Sequence, residues 1–76
     1  MNKIRRKKLD EIIAKIQDVS EELESVMNDE EEYRDNMPEN LQGSEKHEMA
    51  DSACSSMQEA IDQLEEAISN IESAQE

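Results

Sequence analysis

The stretch MQEAIDQLEEAISNIESAQE, residues 57–76, decides the fold of this chain. A seven-residue repeat runs through it, in which a large apolar residue is followed three residues later by alanine: Met57 and Ala60, Leu64 and Ala67, Ile71 and Ala74. A strict seven-residue apolar repeat is typical of a helix that packs lengthwise against another helix. The repeat therefore predicts an all-α fold built from long, paired helices.

The repeat can be labelled a to g, with Met57 at an a position. Its apolar members are Ala50, Met57, Leu64 and Ile71 at a, Ala53, Ala60, Ala67 and Ala74 at d, and Cys54, Ile61 and Ile68 at e. Alanine at d lets a neighbouring helix approach closely, while the larger residues at a and e fill the space on either side. The g positions Ser56, Gln63 and Asn70 are uncharged, so they can flank a helix contact without a charge clash.

The first half of the chain carries a matching pattern. Its apolar stripe consists of Leu9, Ile16 and Leu23 at a, Ile12, Val19, Val26 and Tyr33 at d, and Ile13 and Met27 at e. A stripe that covers a, d and e is wider than the seam of a two-stranded coiled coil and suits a helix in a bundle. No Gly or Pro interrupts residues 3 to 36, so we predict one helix there of about nine turns.

The two patterns are separated by a break that contains Pro38 and Gly43, the only proline and glycine. Ser44 follows as a good N-cap. We therefore predict one domain, 1–76, that folds as a long antiparallel hairpin with helices over about 3–36 and 44–74. Its segments are a basic start at 1–8, helix 1 at 9–36, a loop at 37–43 and helix 2 at 44–76. Folding about residue 40 sets Leu9 near Ile71 and the basic start beside the acids that end helix 2.

A single hairpin leaves much of its wide apolar stripe uncovered, and a scaffold of 76 residues usually needs a staple or a partner. The lone Cys54 excludes an internal disulfide. We therefore expect two hairpins to form a four-helix bundle. The predicted interface lies on helix 2 and comprises Ala53, Met57, Ala60, Ile61, Leu64, Ala67, Ile68 and Ile71.

Charge is distributed unevenly along the chain. Five bases and no acids occupy residues 1–9, whereas all 21 acids follow and give a net charge of −13. A candidate partner-binding face on helix 1 comprises Asp18, Glu21, Glu22, Glu24, Asp29, Glu31, Glu32 and Asp35. Along a hairpin of roughly 50 Å, the acids would follow one another every 2.4 Å or so, against about 1.7 Å for the charges of duplex DNA. That density permits nucleic-acid mimicry and disfavours direct nucleic-acid binding.

No sequence feature points to catalysis. The chain lacks a Gly-rich phosphate loop and a nucleophile–His–carboxylate set, so we expect no enzyme activity, metal or cofactor. His47 fits a partly exposed helix residue better than a ligand or pH switch, and Cys54 fits a small buried apolar residue better than a reactive thiol. We interpret Glu30, the one acid on the stripe, as an ion-pair partner of Lys46, His47 or Arg34. No apolar run reaches membrane-spanning length, so we expect a cytoplasmic protein without a membrane partner.

Three segments resemble a known group of proteins. They are MNKIRRKKLDEII at the start, EEEYRDNMPENLQGSEKHE around the loop and AIDQLEEAISNIE near the end. Together they are similar to small acidic helical-hairpin proteins of unknown function that are encoded in phages, prophages and mobile elements of Gram-positive bacteria. The resemblance implies a phage or mobile-element context, and it brings no activity and no functional residues.

Two functions from different classes fit these observations. The first is a non-enzymatic accessory factor that binds a basic host protein surface through its acidic face, in the sharpest version by blocking a nucleic-acid-binding or defence protein. The second is a structural oligomerisation module, in which the acids serve only solubility. A solvated acidic surface is the commoner occurrence, so the first hypothesis depends on the density of the acids between Asp18 and Asp35.

Overall fold

The computed structural model describes residues 1–76 and contains two long helices and no strand. Helix α1 spans Lys3–Asp35, helix α2 spans Glu45–Ala74, and a short 3₁₀ turn at Glu39–Leu41 lies between them. The helices pack along each other in a hairpin that measures 60 × 15 × 11 Å. The predicted all-α hairpin is confirmed, and both helices end within a residue of the predicted bounds.

Both helices begin at a side-chain cap. The Asn2 Oδ1 atom accepts a hydrogen bond from the backbone N–H of Arg5 at 2.8 Å, and Ser44 Oγ accepts one from the N–H of His47 at 3.3 Å. Such caps satisfy N–H groups that have no partner inside the helix. Because α1 starts directly after Asn2, the predicted basic start at 1–8 is the first part of α1 and not a separate segment.

The connection between the helices is shaped by its one proline and one glycine. Pro38 has φ −55° and ψ 150°, extended geometry that ends the helical path, as its ring requires. Gly43 has φ +81°, a left-handed conformation that costs other residues about 1–2 kcal/mol. The Gln42 side-chain amide donates a hydrogen bond to the carbonyl oxygen of Met37 at 3.0 Å. These local features turn the chain and direct it into α2.

The core is a narrow seam, and only Met27, Ala50, Cys54 and Ile61 are buried. The seam uses the a and e positions of each helix, spaced alternately four and three residues apart. On α1 these are Leu9, Ile13, Ile16, Ser20, Leu23, Met27, Glu30 and Arg34, and Met37 continues the pattern just beyond the helix. On α2 they are His47, Ala50, Cys54, Met57, Ile61, Leu64, Ile68 and Ile71, and Gln75 follows at its C-cap. Apart from the four buried residues, all of these a and e residues are half-buried. One chain alone therefore covers little of its apolar surface.

The register of the hairpin differs by one helical turn from the expected one. Arg34 Nη1 lies 2.8 Å from Asp51 Oδ1, and matching the two seams in antiparallel order brings Met37 level with His47 and Leu9 level with Gln75. The expected pairing of Leu9 with Ile71 is therefore wrong. The observed register places each a residue of one helix against an e residue of the other, so that side chains interdigitate as they do in helix pairs generally.

Candidate interaction surfaces

The acidic face is defined by the eight acids proposed above, and the structure places all of them outside the seam. All are exposed except the half-buried Glu31. Those at the c, f and g positions of α1 point away from α2, whereas Glu24 and Glu31 at b border the seam, where Glu24 and Glu65 of α2 line one depression. Asp18, Glu21, Glu32 and Asp35 stand at c and f, directly opposite the seam. These four form a ridge along the loop half of α1.

Arg34 is the only base that forms an ion pair. Its Nε lies 2.9 Å from Asp35 Oδ1, and its Nη1 lies 2.8 Å from Asp51 Oδ1. The hydrogen bond to Asp35 is the largest cause of a raised pKa for Arg34. Asp35 is thus partly neutralised, whereas the other seven acids of the acidic face have no cation within ion-pair distance. The expected ion pair of Glu30 with Arg34, Lys46 or His47 is absent.

The basic start makes no ion pair either. Leu9 is the first half-buried residue of α1, and every residue from 1 to 8 is exposed. In the observed register Leu9 stands level with Gln75, so residues 1–8 project beyond the end of α2. No ion pair joins these bases to the acids that end α2. The hairpin carries an unpaired basic end and an unpaired acidic half.

The residues predicted to form the oligomer interface fall into two groups. Met57, Leu64 and Ile71 at a, with Ile61 and Ile68 at e, lie in the seam of a single hairpin. Ala53, Ala60 and Ala67 at d are half-buried at one edge of this seam. The participation of both groups in a contact between chains stays a prediction.

A row of large apolar side chains on α1 lies beside these alanines and was not among the proposed site residues. These side chains and their exposed fractions are Ile12 at 42%, Val19 at 51%, Val26 at 56% and Tyr33 at 52%. When antiparallel helices share an a/e seam, their d positions fall on the same side of the pair, and Tyr33 and Ala53 do line one depression. We call this row together with Ala53, Ala60 and Ala67 the apolar face. In the sequence, the α1 part of this face is indicated by bulky residues that recur every seven residues at the d positions.

The remaining candidates for chemistry are isolated. Burial raises the pKa of the Cys54 thiol, and Arg34 partly opposes this effect, so the thiol stays protonated at neutral pH. His47 is half-buried one turn into α2. No three His, Cys, Asp or Glu side chains come together in a way that could hold a metal ion, and neither long helix contains an apolar segment that could cross a membrane.

Comparison with protein-family models, with curated proteins and with solved structures finds no match to this chain. The fold and the two surfaces therefore define its class as a small helical hairpin with one acidic and one apolar face.

Proposed function

We propose that this protein is a non-enzymatic binding module that docks on a basic protein surface through the acidic face of α1. The observation that carries the proposal is the ridge of Asp18, Glu21, Glu32 and Asp35, which is exposed and has Arg34 as its only cation. Like charges three or four residues apart on a helix repel by a few tenths of a kcal/mol per pair. Lysines at some of these positions would favour stability, so the retained acids point to a role in recognition.

Charge density supports nucleic-acid mimicry as the sharper version of this proposal. The hairpin is 60 Å long and carries 21 acids, which is one carboxylate per 2.9 Å, sparser than the 2.4 Å expected from a shorter hairpin. Two hairpins side by side would carry one per 1.4 Å or so, against about 1.7 Å for the phosphates of duplex DNA. Such a dimer could occupy the DNA-binding groove of a cytoplasmic host protein, such as a defence protein encountered by a phage or mobile element.

We also propose that the working form is a homodimer in which two hairpins make a four-helix bundle. The exposed apolar face supports this, because monomers rarely leave large contiguous apolar patches in water. The same face favours a second candidate function, a structural assembly module in which the acids only maintain solubility. The two functions differ in which surface a partner needs: the acidic face for a binding module, the apolar face for an assembly module.

A matched pair of charge-reversal variants separates these candidates. The first variant carries Asp18→Lys, Glu21→Lys and Glu32→Lys on the ridge of α1. The control carries the same three reversals on the outer side of α2, at the c and f positions Glu59, Asp62 and Glu66. Both change the net charge equally and leave the seam and the apolar face intact, so circular dichroism and light scattering should report the same fold and assembly.

The assay compares proteins retained from a bacterial lysate on the immobilised wild type and on each variant, with duplex DNA as competitor. For a binding module, the wild type and the α2 control retain the same basic proteins, the α1 variant loses them, and duplex DNA releases them. Retention by the α1 variant at wild-type level would refute the acidic-face proposal. Retention that is unchanged in both charge variants but is lost when the apolar face is disrupted would favour the assembly module.

A further inference from the structure

The d positions of α1 are spaced symmetrically about Val19, with Ile12 and Val26 seven residues to either side. We propose that two hairpins pair through the apolar face with their loops at opposite ends, so that α1 of one copy runs antiparallel on α1 of the other about a two-fold axis near Val19. The inference rests on the dimer of the proposed function. It specifies which face of the hairpin forms the dimer contact, how the two chains are oriented and which residues meet. It does not depend on what the acidic face binds.

The position of Val19 makes this pairing geometrically complete. Helix α1 spans Lys3–Asp35, so Val19 is its midpoint, and Ile12 and Val26 stand seven residues to either side. An axis at Val19 brings Ile12 of each copy beside Val26 of the other. The two α1 helices then overlap along their whole length, and the alanines of α2 allow close approach beside them.

Charges at the edge of the face match in this orientation only. The g positions of α1 next to the apolar row are Lys8, Lys15, Glu22 and Asp29, two bases followed by two acids. In an antiparallel pair, g positions of the two helices face each other, so Lys8 meets Asp29 and Lys15 meets Glu22, each twice per dimer. None of the four has an ion-pair partner within its own chain.

The ends of the face are complementary as well. Arg5 and Tyr33 are d residues that lie 14 residues before and after Val19, so Arg5 of one copy comes to Tyr33 of the other. Tyr33 and Glu30 line one depression at the loop end, and a guanidinium there would meet both a carboxylate and an aromatic ring. The unpaired basic start thereby lies along the acids between Asp29 and Asp35 of the second copy, of which only Asp35 has an ion-pair partner within its own chain.

The exposed surface area of a single chain is larger than that of a compact monomer, which agrees with a permanent dimer. One chain exposes 5816 Å², whereas a compact monomer of 8.7 kDa would expose about 4,700 Å². If two chains formed a dimer of ordinary compactness, up to about 3,800 Å² would be buried in total, within the range of permanent homodimers.

The alternative arrangement of the two hairpins, with both loops at the same end, lacks the match of opposite charges at the g positions. It places α1 over α2 of the second copy in the register of the hairpin, so that Lys15 faces the region of Asn70 and Glu22 the region of Gln63, both uncharged. It also leaves the basic start opposite the end of α2, where Glu72 and Glu76 are the only nearby acids. The two arrangements therefore predict different responses to charge exchange.

A charge exchange at one edge pair tests the register. Lys15→Glu and Glu22→Lys each replace two attractive pairs by two repulsive ones, and each should weaken the dimer about tenfold by sedimentation equilibrium at low salt. The double variant restores opposite charges and should return to within about threefold of the wild type. Glu21→Lys is the matched control for Glu22→Lys, because the neighbouring f position points away from the face. If the Kd of the double variant were instead raised by the product of the two single effects, the proposed register would be overturned.

A distance between loops tests the orientation. A spin label at Asn40→Cys, in a Cys54→Ala background, marks the loop of each copy. Loops at opposite ends should give one interspin distance of about 60 Å by pulsed electron resonance, from the 1.5 Å rise of a helix, and a distance below about 30 Å would overturn the arrangement. A monomer by light scattering would overturn it together with the proposed dimer, whereas loss of lysate partners in the α1 charge variant reports separately on the acidic face.

Discussion

Replacing Val19 by glutamate is the most direct perturbation of the proposed dimer, because the two-fold axis brings Val19 of each copy against its counterpart. The side chain is 51% exposed in one chain. Burying a whole valine stabilises by roughly 1.5–3 kcal/mol, so covering the exposed half contributes about 1 kcal/mol per copy and about 2 kcal/mol per dimer. Loss of this term alone raises the Kd about 30-fold, and two opposed carboxylates raise it further.

The hairpin itself should tolerate this change. Val19 lies outside the a/e seam, and glutamate has a higher helix propensity than valine, so helical content at high protein concentration should match the wild type. The control is Gln17→Glu, which adds the same charge two residues away. Gln17 borders a separate depression on the other side of the hairpin, together with Glu24 and Glu65. The control therefore reports the effect of added charge alone.

The assay is sedimentation equilibrium of Val19→Glu, Gln17→Glu and the wild type across a range of concentrations, with circular dichroism on the same samples. We expect a Kd at least 30 times that of the wild type for Val19→Glu, and a change of no more than about threefold for Gln17→Glu. Equal Kd values for the two variants would refute the reasoning, because they would mean that the apolar face is not where the chains meet.

Four further outcomes follow from the seam, the turn and the charges. Ile61→Ala should lower the free energy of unfolding by about 2–4 kcal/mol in urea titrations, since Ile61 is 4% exposed, whereas Ile4→Ala, at a site 77% exposed, should change it little. Gly43→Ala should cost about 1 kcal/mol in the same titration through backbone strain alone, because φ is +81° and the space around the added carbon is open. The raised pKa of Cys54 means that its contribution to stability is complete at neutral pH and is lost as pH rises above about 9; wild type should thus lose more stability than Cys54→Ala in alkaline melts. Thermal melts between about 20 and 200 mM salt should show a rising Tm, because screening relieves repulsion between the acids, and a flat Tm would contradict their placement.

The local features of this chain could be predicted from the sequence because their causes are local. The seven-residue repeat requires helices, and Pro38 ends the first of them by its fixed φ and missing N–H. Gly43 and Ser44 start the second by a left-handed turn and a side-chain cap. Each of these effects acts within a few residues. The bounds predicted for the helices, about 3–36 and 44–74, therefore differ from the observed bounds by no more than one residue.

The choice of seam could not be read from α1 alone. Its d positions from Ile12 to Tyr33 are all apolar or aromatic, whereas its e positions alternate Ile13 and Met27 with the polar Ser20 and Arg34, so α1 by itself would favour burial of the d edge. The decision lies in α2, where the e positions carry larger side chains than the alanines at d. Burying Ile61 and Ile68 removes more apolar surface from water than burying alanines would.

Local sequence is enough to specify two amphipathic helices, the turn between them, and the separation of a basic start from an acidic remainder. The use of a and e positions in the seam, the register one turn from the simplest alignment, and the exposure of Val19 and its neighbours follow from how the two helices pack. Helix formation depends on neighbours along the chain, whereas the seam depends on which pair of faces buries the most apolar area together. The exposed apolar row on α1 and the unpaired charges at its edge result from the burial of the a and e positions in the seam.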